Sequence, residues 1–375
     1  MSQDFIRSLP EHERSLANSW LRSVHIDPTL FVLLSLLVFY GLVVLFSAVS
    51  QSGGLFEAQL VRLSLAFVAL FIAAQLPPRL YVRWAPSVYL FGVALLVLVL
   101  VFGVTVKGSQ RWLEIPGLVR FQPSELMKIA VPLAVAWYFH ERPLPPSFKD
   151  VCVALAIVAI PSGLIIMQPD LGTGILVAVA GLAVVVLAGL PWRWMVLAGV
   201  ALAAAAPGLW YTLQDYQRQR ILTLFDPESD PLGAGWNIMQ STTAIGSGGV
   251  WGKGLLHGTQ SHLDFLPEAQ TDFIIAVIAE ELGLVGVVVL LVLYLLIITR
   301  GLFLAVSAES TFGRLLSGAL ILTFFVYVFV NIAMVSGLLP VVGVPLPLVS
   351  YGGTSAITLM AGFGLMMAIR THKVW

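Results

Sequence analysis

The sequence predicts an all-α polytopic membrane protein with about ten transmembrane helices, both termini cytoplasmic and a large outer loop between spans 7 and 8. Three observations predict it. Of the 375 residues, 58% are hydrophobic and only 11% are charged. Mean hydropathy is +0.93, more apolar surface than a soluble fold can bury. The apolar residues fall in unbroken runs, where a membrane β-barrel would alternate apolar with polar. Lys plus Arg and Asp plus Glu both total 20, so no charge excess points to a nucleic-acid partner. Cys152 is the single cysteine and lies in an apolar run, which excludes a disulfide framework and a cysteine metal site.

Residues 1–27 are polar, carry Arg7, Arg14 and Arg22, and read as a cytoplasmic tail. Residues 28–375 read as one transmembrane domain. The first apolar run is too long for a signal-peptide core and lacks a small-residue cleavage site, so it is a retained span. Runs long enough to cross a bilayer lie near 29–49, 57–76, 86–104, 122–140, 151–168, 172–190, 193–213, 272–298, 313–338 and 353–370. An even number puts both termini on one side. With the N-terminus inside, most Lys and Arg fall on the inner segments, as the positive-inside rule requires. Lys107, Arg111, Arg120, Arg218, Arg220 and Lys253 are the outer exceptions, and they fall in only two loops, 105–121 and 214–271. A loop as long as 214–271 is commonly functional, and its Trp, Phe and Leu content argues for order against the membrane surface.

Charge inside an apolar span is costly and marks function or pairing. In "FLPEAQTDFIIAVIAEELGLVG" (265–286), Asp272 stands at the mouth of the eighth span. Thr271 or Asp272 there could simply cap the helix. Glu280 lies about 12 Å deeper on nearly the same face, at 1.5 Å per residue. It needs a polar cavity or a cation, and Glu281 reads as holding a neighbouring helix. In the fourth span Glu125 and Lys128 are three apart and share a face, either as a packing pair or as cavity members. Arg111 precedes them. Asp170, in "QPDLGTG", is a turn residue or a further cavity member. Arg218 and Arg220, in "YQRQR", suit a phosphate or pyrophosphate through bidentate contacts. Gln240, Ser241, Lys253 and His257 are loop groups able to meet sugar or phosphate. The proline-rich "PVVGVPLPLVSYGGTS" (340–355) cannot be a regular helix and is too apolar for a free loop, so it dips into the outer leaflet. Ser350, Gly352 and Gly353 there allow close approach of backbone to a ligand. The pattern is an outward-facing site of carboxylates and cations with a membrane-side entrance. It suits a lipid-linked anionic substrate, with a carboxylate as base and cations on a departing phosphate.

These motifs resemble the SEDS family (shape, elongation, division and sporulation). "KGSQRWL", "RFQPSELMKIA", "QPDLGTG", "DYQRQRI", "DPESDPLGAGWNI", "AIGSGGVWGKG", "FLPEAQTDFIIAVIAEELGLVG", "NIAMVSGLLPVVGVPLPLVSYGG" and the "THK" ending carry the resemblance along nearly the whole chain. "LLHGTQSHLDFLPE" and the short C-terminal tail look more like RodA, the elongation branch, than FtsW, the division branch. Gln270 stands where the signature usually has His. The resemblance implies an inverting peptidoglycan glycosyltransferase that polymerises lipid II on the outer face of the bacterial inner membrane and releases undecaprenyl pyrophosphate. Asp272 would be its catalytic residue. Arg111, Glu125, Lys128, Asp170, Arg218, Arg220, Gln240, Ser241, Lys253 and Ser350 would bind substrate. No organic cofactor is implied. A divalent cation, Mg2+ or Mn2+, would have Asp272, Glu125 and Asp170 as candidate ligands. The implied partners are a class B penicillin-binding protein that cross-links the product, and other elongasome proteins. Two rival readings are a lipid II flippase and a non-catalytic scaffold for the transpeptidase. No inverted repeat is visible and the charges cluster on one side, which counts against the first. The second leaves the buried charge unexplained.

Overall fold

The structure is a computed structural model and describes residues 24–49, 53–106, 109–115, 119–230, 233–259 and 268–372. Most of the predicted cytoplasmic tail, with Arg7, Arg14 and Arg22, lies outside the described residues, as does Lys107. Every predicted apolar run coincides with a helix. These are α1 (Pro28–Ala48), α2 (Gly53–Gln75), α3 (Pro78–Phe102), α4 (Pro123–Phe139), α5 (Phe148–Met167), α6 (Leu171–Leu187), α7 (Trp192–Thr212), α10 (Ile274–Val306), α11 (Thr311–Val335) and α12 (Thr354–Thr371). Among the described residues, seven helices are long and apolar enough to cross a membrane, and Leu171–Leu187 is a shorter apolar helix.

The helix starts follow from local chemistry. Asp27 accepts from Leu30 N and Pro28 opens α1, so an orphan donor is satisfied and φ is preset. Arg300 from α10 then closes on the same carboxylate at 2.6 and 3.1 Å. Ser147 and Asp150 form a reciprocal capping box on α5. Helices α1, α2, α10, α11 and α12 share one apolar core with the 340–353 loop, and α3 to α6 share a second with α11 and α12. Helix α7 stands apart, with residues 192–208 all exposed. At the end bearing the termini, His25 stacks on His372 with ring centroids 3.7 Å apart. Burial, and then the neighbouring His372, hold the pKa of His25 below its usual value.

The fold departs from the all-α expectation in the first outer loop. Three short antiparallel strands form there in the order β1 (Val104–Val106), β2 (Ser109–Ile115), β3 (Val119–Phe121). Val104 faces Trp112 and Leu113 faces Phe121. Cross-strand pairs of β-branched, aromatic and aliphatic residues stabilise such a ribbon, a signal that a count of apolar run length does not register. The long outer loop likewise holds α8 (Asp215–Phe225), a 3₁₀ turn (Pro227–Ser229) and α9 (Ala234–Ser247).

Helix α10 does not run without interruption. Gly283 sits at φ 67°, ψ −165° and breaks the ladder. The broken bonds are remade by the glycine-rich segment after α9. Lys253 N and Gly254 N donate to Glu280 O and Glu281 O, while Leu284 N and Val285 N donate to Gly249 O and Val250 O. Any Cβ on Gly283 would come within 2.3 Å of Gly252 N, and any Cβ on Gly252 within 2.1 Å of Glu281 O. "GSGGVWGKG" is therefore backbone that replaces a missing helical turn. An irregular stretch at that depth is tolerated because protein satisfies it.

Between α11 and α12 no described residue is helical or in a strand, as the prolines predict. Val344, Leu346, Leu348, Val349 and Ser350 are buried. Tyr294 Oη of α10 donates to Pro347 O at 2.7 Å. From α2, Gln59 Nε2 donates to Ser350 O at 3.4 Å, and Gln59 Oε1 accepts from Gly352 N at 3.2 Å. Arg62 lies over the Tyr351 ring, 4.6 Å from its centroid. The loop is clamped from several helices at once.

Candidate active site

Asp272 is not a helix cap. Helix α10 begins at Ile274, and its N-cap is Phe273, which makes no side-chain cap bond. The half-buried Asp272 lies in the turn before it. That turn opens at Glu268 with φ 60°, and Thr271 Oγ1 donates to Glu268 Oε2 at 2.8 Å. The turn is joined to the proline-rich loop by Tyr351 N donating to Gln270 O at 2.8 Å. The contact uses backbone of residue 270, so it places no demand on the His that the family signature usually has there. Gly343, at φ 71°, lies against the catalytic candidate, and a Cβ built there would be 3.4 Å from Asp272 Oδ2.

A second group of charges lies beside α11. Lys128 Nζ meets Glu125 Oε1 at 2.6 Å, and both side chains are almost fully buried. Thr358 of α12 donates to Glu125 Oε2 at 3.2 Å, and Lys128 lies 4.8 Å from the Tyr327 ring centroid. A small pocket lined mainly by α11 and α12 reaches Lys128 and Thr358. Tyr327 packs in one cluster with Leu176 of α6 and Val344 of the loop.

Arg111 of β2 meets Asp170 at the start of α6. Arg111 Nη1 donates to Asp170 Oδ2 at 3.3 Å, and Gln122 Nε2 reaches the same oxygen at 3.1 Å. Asp170 Oδ1 caps α6 through Thr173 N. Arg111 Nε and Ser124 Oγ are buried and make no hydrogen bond among the described residues, so this corner retains unused polar capacity. A Cβ on Gly172 would lie 3.1 Å from Val342 O. The proline-rich loop thus separates and touches both acid sites, with α6 against Val342 and Asp272 against Gly343.

Other predicted site residues are engaged elsewhere. Arg218 donates to Trp210 O at 3.0 Å and Tyr211 O at 2.7 Å, so its fork satisfies carbonyls at the end of α7. Arg220 is exposed and lies over Tyr216. Ser241 is buried between Ile238 O and Val335 O, where it ties α9 to α11. Ser350 Oγ accepts from Leu346 N at 2.8 Å and closes a turn. Gln240 is half-buried on α9. His257 lies in the loop against Leu255 O. Lys253 meets Glu280 at 2.7 Å, and Thr259 adds two bonds to the same carboxylate oxygen. Glu280 therefore satisfies its charge by anchoring the outer loop, not by facing an open cavity. Glu281 accepts from Ser47 Oγ of α1 at 2.8 Å, which ties neighbouring helices as expected.

Lys253→Met should loosen this anchor without detaching it, because Thr259 and the backbone bonds remain. Hydrogen exchange should quicken over residues 252–259 and stay slow in the core of α10. Unchanged exchange in the loop would show that the ion pair adds nothing to its docking.

The candidate metal ligands do not converge. Among the described residues no group of three or more His, Cys, Asp or Glu is placed to hold an ion. Glu125 and Asp170 each already meet a cation. The residues do not fit an all-protein divalent cage, which needs about six oxygens. Sequence reasoning placed Arg62 inside a span without a role and missed Gln59, Asn331, Tyr327 and Thr358. The signal available was a polar residue inside an apolar run, as in "AQLVRL" and "FVNIAM".

Comparison with known proteins bears on this geometry. The profile of the FtsW, RodA and SpoVE proteins, described as cell cycle protein, matches residues 27–374. The chain belongs to this FtsW/RodA/SpoVE family. It is 56% identical over 351 residues to the peptidoglycan glycosyltransferase MrdB of Escherichia coli K12, across 93% of this chain and 95% of that one. A probable peptidoglycan glycosyltransferase FtsW of Trichlorobacter lovleyi is 34% identical, across 93% of this chain and 94% of that one. Among solved structures, a chain of a peptidoglycan synthase complex that coordinates polymerization and crosslinking superposes with a TM-score of 0.81 at 34% identity. That match covers 92% of this chain and 97% of the other. The rod shape determining protein RodA of Thermus thermophilus superposes at 0.70 with 31% identity, covering 92% and 96%. The chain's higher identity to MrdB than to this FtsW agrees with the RodA-like reading of the motifs.

Proposed function

We infer that this family member is a peptidoglycan glycosyltransferase that polymerises lipid II into glycan strands during cell elongation. The observation that carries the mechanism is Asp272, a half-buried carboxylate outside its helix and against the proline-rich loop. Asp272 accepts the proton of the acceptor GlcNAc C4 hydroxyl. That oxygen attacks the anomeric carbon of the donor's terminal MurNAc from the face opposite the leaving group, with inversion. The C–O bond to the isoprenoid pyrophosphate breaks, and its electron pair leaves with the phosphate. Asp272 then returns its proton to water. Such a positioned base contributes about 10²–10⁴ in rate.

Neutralising the pyrophosphate falls to cationic side chains. Lys128, buried beside a cavity, and Arg111, with a buried Nε that bonds to no described residue, are the best placed. Exposed Arg220 is free to move toward a lipid headgroup, and Arg218 serves α7. Glu125 and Asp170 hold Lys128 and Arg111 in place. The proposed reaction needs no organic cofactor. All of the apolar runs cross the bacterial inner membrane, both termini are cytoplasmic, and the site opens to the periplasm. This topology accords with the charge bias of the loops.

The proposed partner is a class B penicillin-binding protein, whose membrane span would pack on the exposed row Leu284, Val288, Leu291, Leu295 and Phe303 of α10. Apolar helix packing of this kind survives moderate salt. The test is polymerisation of labelled lipid II by the purified chain with its transpeptidase. Glycan strands are the expected product. Movement of lipid II across vesicles without polymer would replace the reading with a flippase.

A further inference from the structure

We propose that Asn331 is a positioning residue for the Asp272 carboxylate. The proposal rests on the reading of Asp272 as the base. Asn331 lies on α11 and is fully buried. Its carboxamide Nδ2 donates to Asp272 O at 2.9 Å and to Val344 O at 2.7 Å. These two carbonyls belong to the two irregular pieces of the site, the turn before α10 and the loop between α11 and α12. Neither carbonyl belongs to a regular ladder, and each needs a donor in this buried setting. A primary amide is the neutral side chain that brings two N–H donors in one plane. The orientation of the amide follows from the same chemistry, since turning Oδ1 toward two carbonyl oxygens would set three acceptors together.

The consequence for the carboxylate is geometric. Asn331 fixes the backbone of Asp272 itself. It also fixes Val344, and the preceding residue, Gly343, lies against the carboxylate, where an added Cβ would stand 3.4 Å from Asp272 Oδ2. The base and the loop segment beside it therefore share one anchor on a packed helix. Tyr351 N to Gln270 O is a second tie between the same two pieces, but it bears on residue 270 and not on the backbone of Asp272 itself. Without Asn331 the carboxylate stays present and exposed to substrate, and what is lost is its register. Asn331 touches no reacting atom in this scheme and acts through Asp272.

A role limited to satisfying buried backbone would lower stability and leave the folded enzyme as fast as before. Positioning lowers kcat in the folded enzyme and leaves KM nearly unchanged, because substrate binding elsewhere is intact. The experiment uses the full chain with its transpeptidase, labelled lipid II, and the variants Asn331→Leu, Asn331→Ala and Asn331→Gln, with Asp272→Asn alongside. Leu matches the shape of Asn without donors, and Ala is read by the same rule if Leu does not accumulate folded. Misplacement of a catalytic group by about 1 Å costs about 10²-fold. The expected result is a fall in kcat of about that size for Leu or Ala, KM within about threefold, and partial recovery in Gln, which keeps the amide. Wild-type kcat in folded Leu or Ala protein, or a loss confined to KM, overturns the proposal. An active Asp272→Asn enzyme would instead overturn the base itself, so the two failures are distinct.

Discussion

Asp272→Asn is expected to abolish glycan polymerisation while expression, folding and co-purification with the transpeptidase persist. The amide keeps the shape of the carboxylate and loses its ability to take a proton at neutral pH. The loss of a positioned base corresponds to about 10²–10⁴ in rate, or about 2.7–5.4 kcal/mol of barrier. Stability should change little, because the N-cap of α10 is Phe273 and not Asp272. A capping role would instead cost about 0.5–2 kcal/mol of stability and leave turnover alone. The two outcomes separate in one preparation, by turnover and by thermal unfolding. Substantial polymer from the Asn protein would remove Asp272 from the chemistry and leave it a turn residue.

Lys128→Met should be the most damaging single change in the second charge group. It leaves the Glu125 carboxylate buried with Thr358 as its described partner. Breaking one side of a buried pair costs about 3–5 kcal/mol, largely through the stranded charge. Lys128→Arg keeps the charge and should be milder than Lys128→Ala. The double substitution Glu125→Gln, Lys128→Met removes both charges and should recover folding. Activity then decides what the pair is for. Folded but inactive double-mutant protein fits Lys128 as a partner of the pyrophosphate. Full activity in the double mutant would make the pair a packing device and pass that task to Arg111 and Arg220.

The parts of this molecule that were legible in the sequence are those governed by neighbours in the chain. Run length located the helices, prolines excluded a helix at 340–355, two residues past the loop's observed end at Gly353, and a carboxylate at a span mouth drew attention to Asp272. Partner choice was hidden, because periodicity tells which residues share a helix face and not which helix that face meets. Arg111 and Asp170 were separate candidates until the fold set them 3.3 Å apart across 59 positions. Lys253 looked like a ligand for phosphate because its carboxylate, Glu280, is 27 residues away. Arg218 looked like a phosphate fork because the carbonyl ends of α7 cannot be read from composition. The sheet was lost for a related reason, since three strands of three to seven residues give little signal beside spans of twenty. Asn331 was passed over as one polar residue in an apolar run, although such a residue must find a partner.

The clamp on the proline-rich loop has a consequence for how the chain is made. Gln59 is paired with Ser350, 291 positions later, and Arg62 meets Tyr351. Helix α12 also packs extensively on α2. At about 5–20 residues per second of synthesis, α2 emerges roughly 15–60 s before the residues that complete it. During that interval the Gln59 amide and the Arg62 guanidinium sit in a largely apolar helix with their final partners still untranslated. The early helices must therefore be kept from settling elsewhere, by the insertion machinery or by temporary neighbours in the bilayer. Truncation before residue 350 would leave them permanently in that state, and quality-control proteases would meet a chain with most of its spans and none of its closure.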